Sequence, residues 1–302
     1  MARVTGAAVS PAARTGFGRR AQYVLFVVPA LVVILAVIVF PWVFTLWMSL
    51  HDWHVASTQQ FVGLENYLGL WRDARFLNAI WRTFYFTALA VILPVIFGAV
   101  AAMVFHREFF GRGFLRGVFI LPMMATPVAI ALVWTMMFHP QQGILNFLIE
   151  MVGLPPSLWV FAQDTVIPSL VLVEVWQWTP LVMLIVLGGL AALPTDPYES
   201  ALIDGANALQ MFRYITLPLV MPFIMVAVVL RTIDALKAFD TIFVITQGGP
   251  GTASETINIF LYLQAFAFYN IGYASAVVVI FFGIIVLLSL LTLYVRQRTL
   301  WS

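Results

Sequence analysis

Six long apolar segments restrict this chain to folds that place most of it in lipid. They are residues 22–50, 83–105, 117–138, 166–193, 217–245 and 271–295. Because a helix rises ~1.5 Å per residue, each segment is long enough to cross the ~30 Å hydrocarbon core of a bilayer. Only 9% of the 302 residues are charged and 63% are apolar, whereas about a quarter of the residues in soluble domains are charged. The sequence therefore predicts an all-α integral membrane protein with six transmembrane helices, surrounded by the lipid bilayer.

Composition and motifs exclude several classes of function. The sequence has no cysteine, which rules out disulfides, thiolate metal sites and cysteine nucleophiles. Its four histidines are dispersed and do not indicate a metal site. The net charge of +2 is too small to indicate a nucleic-acid partner. Since there is no GxxxxGK[ST] phosphate loop and no nucleophile paired with a base, we expect a conduit rather than an enzyme, with no cofactor bound in this chain.

The N-terminal residues resemble a signal peptide only superficially. Four arginines within residues 1–20 precede an uncharged run from Ala21 to Leu50. That run of 30 residues is much longer than the about 7 to 15 apolar residues of a signal peptide. We therefore expect a retained first span, with residues 1–20 as a cytoplasmic N-terminal segment and residues 21–302 as the membrane domain.

The distribution of Lys and Arg predicts the orientation of the spans. Ten of these residues lie in the N-terminus, the 106–116 loop, the 194–216 loop and the C-terminus, whereas the loops of the opposite side hold three. Cytoplasmic loops are the ones enriched in Lys and Arg. Both termini and the 194–216 loop are therefore predicted to lie in the cytoplasm, with a short helix between spans four and five.

Residues 194–216 carry an amphipathic pattern outside the spans. Asp196, Pro197 and Glu199 have the spacing of a capping box, which predicts a helix start. Apolar or small residues then follow at 198, 201, 202, 205, 208, 209 and 212, at helical spacing. Gly205 lies at the middle of this stripe, where glycine costs about 1 kcal/mol relative to alanine in a helix. The stripe either packs on the ends of this chain's own helices or docks against another protein.

The same loop resembles the EAA coupling loop of membrane permeases in bacterial ABC importers. Its residues are Glu199, Ser200 and Ala201, then Asp204, Gly205 and Ala206, with Ile215, Thr216, Leu217 and Pro218 further on. Ser200 departs from the usual alanine but is also small. The resemblance implies that the loop docks into a groove of an ATPase subunit, that Glu199 faces that subunit, and that Gly205 lies at a bend between two short helices.

Other motifs resemble the sugar-uptake subfamily of these permeases, similar to the permeases for maltose and glycerol-3-phosphate. They are FVGLENY at 61–67, Phe239 with Asp240, TQGGPGT at 246–252 and IGYASA at 271–276. The resemblance is to the first member of a permease pair. It implies a second homologous permease, two cytoplasmic ABC ATPases that bind ATP and Mg, an extracytoplasmic solute-binding protein, a sugar or related polar solute, and a multi-pass location in the bacterial inner membrane.

Charged residues inside the predicted spans are candidates for function, because ionisable groups are costly in a membrane. Arg231, Asp234, Lys237 and Asp240 follow one another at i, i+3 spacing in span five, so neighbours are expected to pair along one helix. Residue counting places Glu174 of span four at the depth of Arg231, and the two would pair if their helices face each other. A structural ion-pair network and a pore lining explain these residues equally well.

An aromatic and amide cluster follows Glu174. Trp176, Gln177 and Trp178 combine rings that suit the C–H faces of a sugar with an amide that suits its hydroxyls. Ordinary packing of the tryptophans is the alternative. Together with Glu174, Arg231, Asp234 and Asp240 they form the predicted solute path. The alternative functions are a self-sufficient ion-coupled secondary transporter or channel, in which the charges of span five form the ion site, and a membrane scaffold that transports nothing.

Overall fold

The computed structural model describes residues 17–54 and 57–300, and the fold in these ranges is predominantly helical. The helices are α1 Phe17–Ser49, α2 Glu65–Arg72, α3 Ala74–His106, α4 Arg112–Met124, α5 Pro127–Met137, α6 Ile144–Met151, α7 Val166–Ala191, α8 Asp196–Ile203, α9 Ala208–Met211, α10 Leu217–Leu236, α11 Asp240–Thr246, α12 Ile257–Tyr262 and α13 Ile271–Leu300. A 3-10 turn spans Trp159–Phe161, and π-helical turns span Phe212–Thr216 and Leu263–Ala267. Strands β1 His51–Asp52 and β2 Gln60–Phe61 pair antiparallel. Residues 1–16 of the predicted N-terminal segment lie outside the described residues.

Five stretches of the described chain are long and apolar enough to cross a membrane, and six are if one bent helix pair counts as a single span. The five are Phe26–Ser49, Ala74–His106, Val166–Ala191, Ala208–Leu236 and Ile271–Tyr294. They correspond to the predicted segments one, two, four, five and six. Spans two and five begin nine residues earlier than predicted, because each helix already starts in the more polar stretch that precedes the apolar segment.

The predicted third span is not a straight helix. α4 and α5 meet at an angle of 97° across Ala125 and Thr126. Thr126 is extended and precedes Pro127, the first residue of α5. Proline disfavours helical conformation in the residue before it, so the helix must stop there. The prediction of a continuous helix over 117–138 was wrong for this reason.

The predicted fifth span, 217–245, is also interrupted. α10 ends at Leu236, and α11 begins at Asp240. The side-chain amide of Asn258 donates to the carbonyl oxygens of Leu236 at 2.9 Å and Ala238 at 3.2 Å. Carbonyls that a helix end leaves free need such partners where water is scarce. Asn258 therefore stabilises a break that no proline or glycine marks in the sequence.

α7 is the most enclosed of the span candidates and lies at the centre of the bundle. It packs against α3, α4 and α10, with Val173, Val182 and Met183 fully buried. α1, by contrast, is exposed over most of its length and contacts α13, where the rings of Trp42 and Phe282 lie 4.2 Å apart. The helix over Ile257–Ala267 is apolar but shorter than a span, and it buries Ile257, Ile259 and Phe260.

Two of the sequence motifs hold loops against helix ends through hydrogen bonds and close backbone packing. In the 61–67 motif, Asn66 donates to the carbonyl oxygens of Ser49 and His51, and the Tyr67 hydroxyl donates to Ser49 Oγ at 2.7 Å. In the 271–276 motif, a Cβ on Gly272 would lie 2.0 Å from the His51 carbonyl oxygen. Glycine is required there because the loop backbone lies directly against the start of α13.

Candidate functional site

A polar cavity of about 130 Å³ lies between α7, α10 and α11. Its lining combines ionisable, amide, hydroxyl and aromatic side chains. The lining residues are Pro127, Glu174, Gln177, Trp178, Arg231, Asp234, Lys237, Ala238, Phe239, Asp240 and Thr241. Six of the seven residues predicted for the solute path therefore surround one space.

The predicted contact between Glu174 and Arg231 is confirmed. Arg231 Nη2 lies 2.7 Å from Glu174 Oε2 and 3.3 Å from the carbonyl oxygen of Ala90. Both side chains are almost fully buried. The guanidinium carbon also lies 4.9 Å from the centre of the Trp178 ring, a distance at which a cation is attracted to the ring face. The pair joins α7 to α10 and forms part of the cavity wall.

The predicted ladder of ion pairs along span five was wrong. None of the ion pairs among the described residues joins Arg231, Asp234, Lys237 and Asp240 to one another. Arg231 is engaged by Glu174, and the helix ends at Leu236, so the i, i+3 geometry does not extend to Asp240. Asp234, Lys237 and Asp240 instead remain exposed at the opening of the cavity.

The aromatic and amide cluster of α7 divides between two sides of that helix. Gln177 and Trp178 line the cavity. Trp176 faces an apolar groove, where its ring meets that of Trp134 edge-on at 5.8 Å. Successive side chains on a helix diverge by about 100°, since one turn holds 3.6 residues. The structure therefore separates Trp176 from the other six path candidates.

Two polar atoms of the cavity lining have no hydrogen-bond partner. They are Gln177 Oε1 and Arg231 Nε, and both belong to side chains that are 1% exposed. A buried polar atom without a partner costs about 1 to 3 kcal/mol. An acceptor and a donor of two lining residues are thus buried without a partner.

Five lining residues lay outside the predicted path: Pro127, Lys237, Ala238, Phe239 and Thr241. Pro127 reaches the cavity because the bend between α4 and α5 places the start of α5 there. The others reach it because the chain leaves helical conformation after Leu236. Pro127 in segment three was a usable signal for the bend, whereas no residue near Leu236 signals the interruption that follows it.

The 194–216 loop folds into two short helices, α8 and α9, with Gly205 between them. Gly205 has a φ of +77°, a left-handed conformation that favours glycine. The predicted bend at Gly205 is therefore present. The predicted capping box at Asp196 and Glu199 is not: the N-cap of α8 is Thr195, without a side-chain cap. A capping box instead starts α9, where Asn207 and Gln210 bond reciprocally at 2.8 and 2.9 Å.

Three large apolar side chains of this loop are not covered by the chain itself. Leu202 is 62% exposed, Ile203 87% and Leu209 73%. Packing of the predicted stripe on the chain's own helix ends was the alternative interpretation, and for its members Leu202 and Leu209 it was wrong. Glu199, Ser200, Asp204 and Gly205 are exposed, and Ala201 and Ala206 are half-buried. The hydroxyl of Tyr198 donates to Thr216 Oγ1 at 3.1 Å, which ties α8 to the π-helical turn that leads into α10.

Metal binding finds no support in the described part of the chain, which contains no group of three or more His, Cys, Asp or Glu side chains suited to a metal ion.

Comparison with known proteins gives concordant matches. Residues 94–301 match the family described as the binding-protein-dependent transport system inner membrane component. The chain is 38% identical over 249 residues to the trehalose/maltose transport system permease protein of Thermococcus litoralis, covering 82% of this chain and 83% of that protein. It is 37% identical over 262 residues to a probable ABC transporter permease of Sinorhizobium fredii, covering 86% and 84%. A chain in the crystal structure of a bacterial alginate ABC transporter, in complex with an alginate pentasaccharide-bound periplasmic protein, shares the fold with a TM-score of 0.81 at 19% identity, covering 93% of this chain and 96% of that one.

Proposed function

Because the chain belongs to the family of inner membrane components of binding-protein-dependent transport systems and is an ABC transporter permease, we propose that it conducts a sugar or a related polar organic solute into the cell. One observation supports this most directly. α10 carries Arg231 and Asp234 of the polar cavity, and at its other end it continues through the Phe212–Thr216 turn into the exposed apolar loop. A single helix thus links a space suited to a polar solute with a surface suited to a protein partner.

The proposed topology has six spans, with α4 and α5 together forming the third. Both termini, including residues 1–20, lie in the cytoplasm, and residues 21–302 form the permease domain. The 194–216 loop is then cytoplasmic, and the 246–256 loop is external. The excess of Lys and Arg on one side supports this orientation.

The exposed loop is proposed to couple the chain to an ATPase. Leu202, Ile203 and Leu209 would enter a groove of that subunit, with Glu199, Ser200, Ala201, Asp204, Gly205 and Ala206 at or beside the contact. A second homologous permease would complete the pore, and an external binding protein would deliver the solute. Two ATPase subunits would bind ATP and Mg and supply the free energy. Their closure would draw the coupling loops together and shift the permease pair between inward-facing and outward-facing states.

Solute is proposed to pass along the cavity between α7, α10 and α11. Gln177 Oε1 and Arg231 Nε would meet hydroxyl groups, and the ring of Trp178 would lie against C–H faces. Glu174, Asp234 and Asp240 complete the polar wall. Trp176 faces the apolar groove and is left outside this path.

The test uses the purified importer, reconstituted in liposomes with its ATPase, partner permease and solute-loaded binding protein. Gln177→Leu and Trp178→Phe should each lower ATP-dependent uptake about tenfold, roughly the loss of one good polar contact. Complex yield and basal ATPase activity should stay near normal. Trp176→Phe is the matched control for Trp178→Phe, since it makes the same change on the side of α7 that faces the apolar groove. Uptake by this control variant should remain normal. Unchanged uptake in both cavity variants would exclude this cavity as the path.

The same liposomes separate an importer from an ion-coupled transporter. An importer requires ATP and retains its ATPase subunit on purification. Uptake driven by an ion gradient alone, without ATP or a co-purifying ATPase, would contradict the proposal.

A further inference from the structure

The charges around the cavity are unequal in number. Three carboxylates line it, those of Glu174, Asp234 and Asp240, against the two cationic groups of Arg231 and Lys237. With all five ionised, the formal charge of the lining is −1. A cleft lined by an excess of one sign concentrates solutes of the opposite sign and repels those of the same sign.

The two cations are not equally available to a solute. Arg231 is buried and already paired with Glu174 at 2.7 Å, so its charge is compensated within the wall. A solute anion would have to displace Glu174, which would leave that carboxylate buried without a partner. Lys237 is exposed at the opening, where its single positive charge is outnumbered by the carboxylates of Asp234 and Asp240.

The carboxylates at the opening are free of such compensation. Asp234 and Asp240 are exposed, and neither belongs to an ion pair among the described residues. A solute entering from this side meets two carboxylates against one ammonium group, a net negative charge, before it reaches the buried pair. Further in, the unpartnered atoms Gln177 Oε1 and Arg231 Nε offer an acceptor and a donor, which suit hydroxyl groups.

From this arrangement we propose that the cavity discriminates against anionic solutes and passes neutral polyhydroxylated ones, with Asp234 and Asp240 as the residues that set this preference. The inference rests on the proposed function, since it assumes that this cavity is the path. Among the candidate solutes of such an importer, the proposal favours neutral sugars and polyols over sugar acids and sugar phosphates.

The natural absence of cysteine allows a direct test of the field in the cavity. Ala238→Cys places a single thiol in the lining. Its reaction rates with a cationic and an anionic methanethiosulfonate reagent are measured in the purified complex in detergent. Each rate is divided by that of 2-mercaptoethanol with the same reagent, which removes intrinsic reactivity. We expect the cationic reagent to be favoured about tenfold.

Two further variants identify the source of the preference. In the Ala238→Cys background, Asp234→Asn together with Asp240→Asn should reduce the preference to within about twofold of the reference thiol. Glu108→Gln, which removes an exposed carboxylate outside both the cavity and the 194–216 loop, should leave it unchanged. A ratio equal to that of the reference thiol before the Asn substitutions, or an unchanged preference after them, would overturn the proposal. So would a thiol that reacts with neither reagent, because molecules of solute size would then not reach the cavity.

This labelling requires no transport, ATP or binding protein. A failure of the importer assignment would therefore leave the rate ratios unaffected, and a failure of the charge preference would leave ATP-dependent uptake unaffected.

Discussion

Two segments between the long helices differ in how far their side chains are buried by the rest of the chain. In the 246–256 loop and the start of α12, Glu255 is buried and accepts from Arg75 Nε at 2.8 and 3.0 Å, Ser254 donates to the carbonyl of Gly249, and the amide of Ile257 donates to Thr83 Oγ1. In the 194–216 loop, Leu202, Ile203 and Leu209 remain uncovered. Glu255, Ser254 and Ile257 of the first segment are buried within the chain, whereas the three large apolar side chains of the second are not.

This difference separates a structural role from a binding role. Both segments carry motifs that resemble the same family, so resemblance alone does not tell them apart. Burial does, because a side chain enclosed by its own chain contributes to folding, whereas an exposed apolar side chain gains its burial only from a partner. Substitutions in the first segment should therefore affect stability, and those in the second should affect assembly.

The largest expected effect comes from placing a carboxylate in each segment. Ile257→Asp puts a charge at a fully buried position and should destabilise the fold by about 4 kcal/mol or more, with little purified protein recovered. Ile203→Asp makes the same change at an exposed position and should alter stability by less than about 0.5 kcal/mol. It should nevertheless lower retention of the ATPase subunit at least about tenfold, because the carboxylate would enter an apolar contact.

These quantities are read from thermal unfolding in detergent and from the ATPase recovered per permease. Equal loss of stability in both variants would contradict the contrast between the segments.

The second effect concerns the bend in the 194–216 loop. Gly205→Leu should reduce transport at least about a hundredfold, because it strains a left-handed position by about 1 to 2 kcal/mol and adds bulk at the docking surface. Gly153→Leu is the matched control. Gly153 has a φ of +80°, and neither glycine has an atom within 4 Å of an added Cβ. Backbone strain is therefore the same, so comparable transport losses would trace the defect to strain and not to docking.

A smaller effect is expected from the ion pair beside the 246–256 loop. Glu255→Gln leaves Arg75 without its carboxylate and should destabilise the chain by about 2 kcal/mol, less than for a fully buried pair because the Arg75 side chain is 36% exposed. Glu199→Gln, at an exposed position in no ion pair among those described, should stay within about 0.5 kcal/mol. The midpoints of thermal unfolding of the two variants are compared. A larger decrease for Glu199→Gln than for Glu255→Gln would contradict the structural role of the Glu255–Arg75 pair.

The smallest perturbation tests which side of the membrane each segment faces. Single cysteines at Gln141 and Ser200, both exposed, each add one thiol to a chain that has none. In intact cells an impermeant thiol reagent should label the first, and the second should be labelled only after the membrane is opened. Ser254 is a poor probe because it is buried. Labelling of both positions in intact cells would refute the proposed topology.

The sequence predicted features that depend on composition and on depth along a helix. Apolar length located the spans, and residue counting placed Glu174 level with Arg231, where the two do form a pair. The capping box was misplaced because Thr195 and Asp196 are adjacent candidates and backbone geometry selects the first. The end of α10 was not predictable locally, since the amide that stabilises it belongs to Asn258, far along the chain. Helix rotation, which turns Trp176 away from the cavity, likewise depends on packing that no local pattern records.

The interruption between Leu236 and Asp240 divides the cavity wall between two separate helices, α10 and α11, each with its own packing neighbours. A continuous helix moves as one rod, whereas α10 packs with α3, α7 and α13, and α11 packs with α5. Arg231 and Asp234 belong to α10, and Asp240 and Thr241 to α11. A pull on the loop end of α10 would therefore change the width of the space between them, which would connect movement of the 194–216 loop to the proposed solute path.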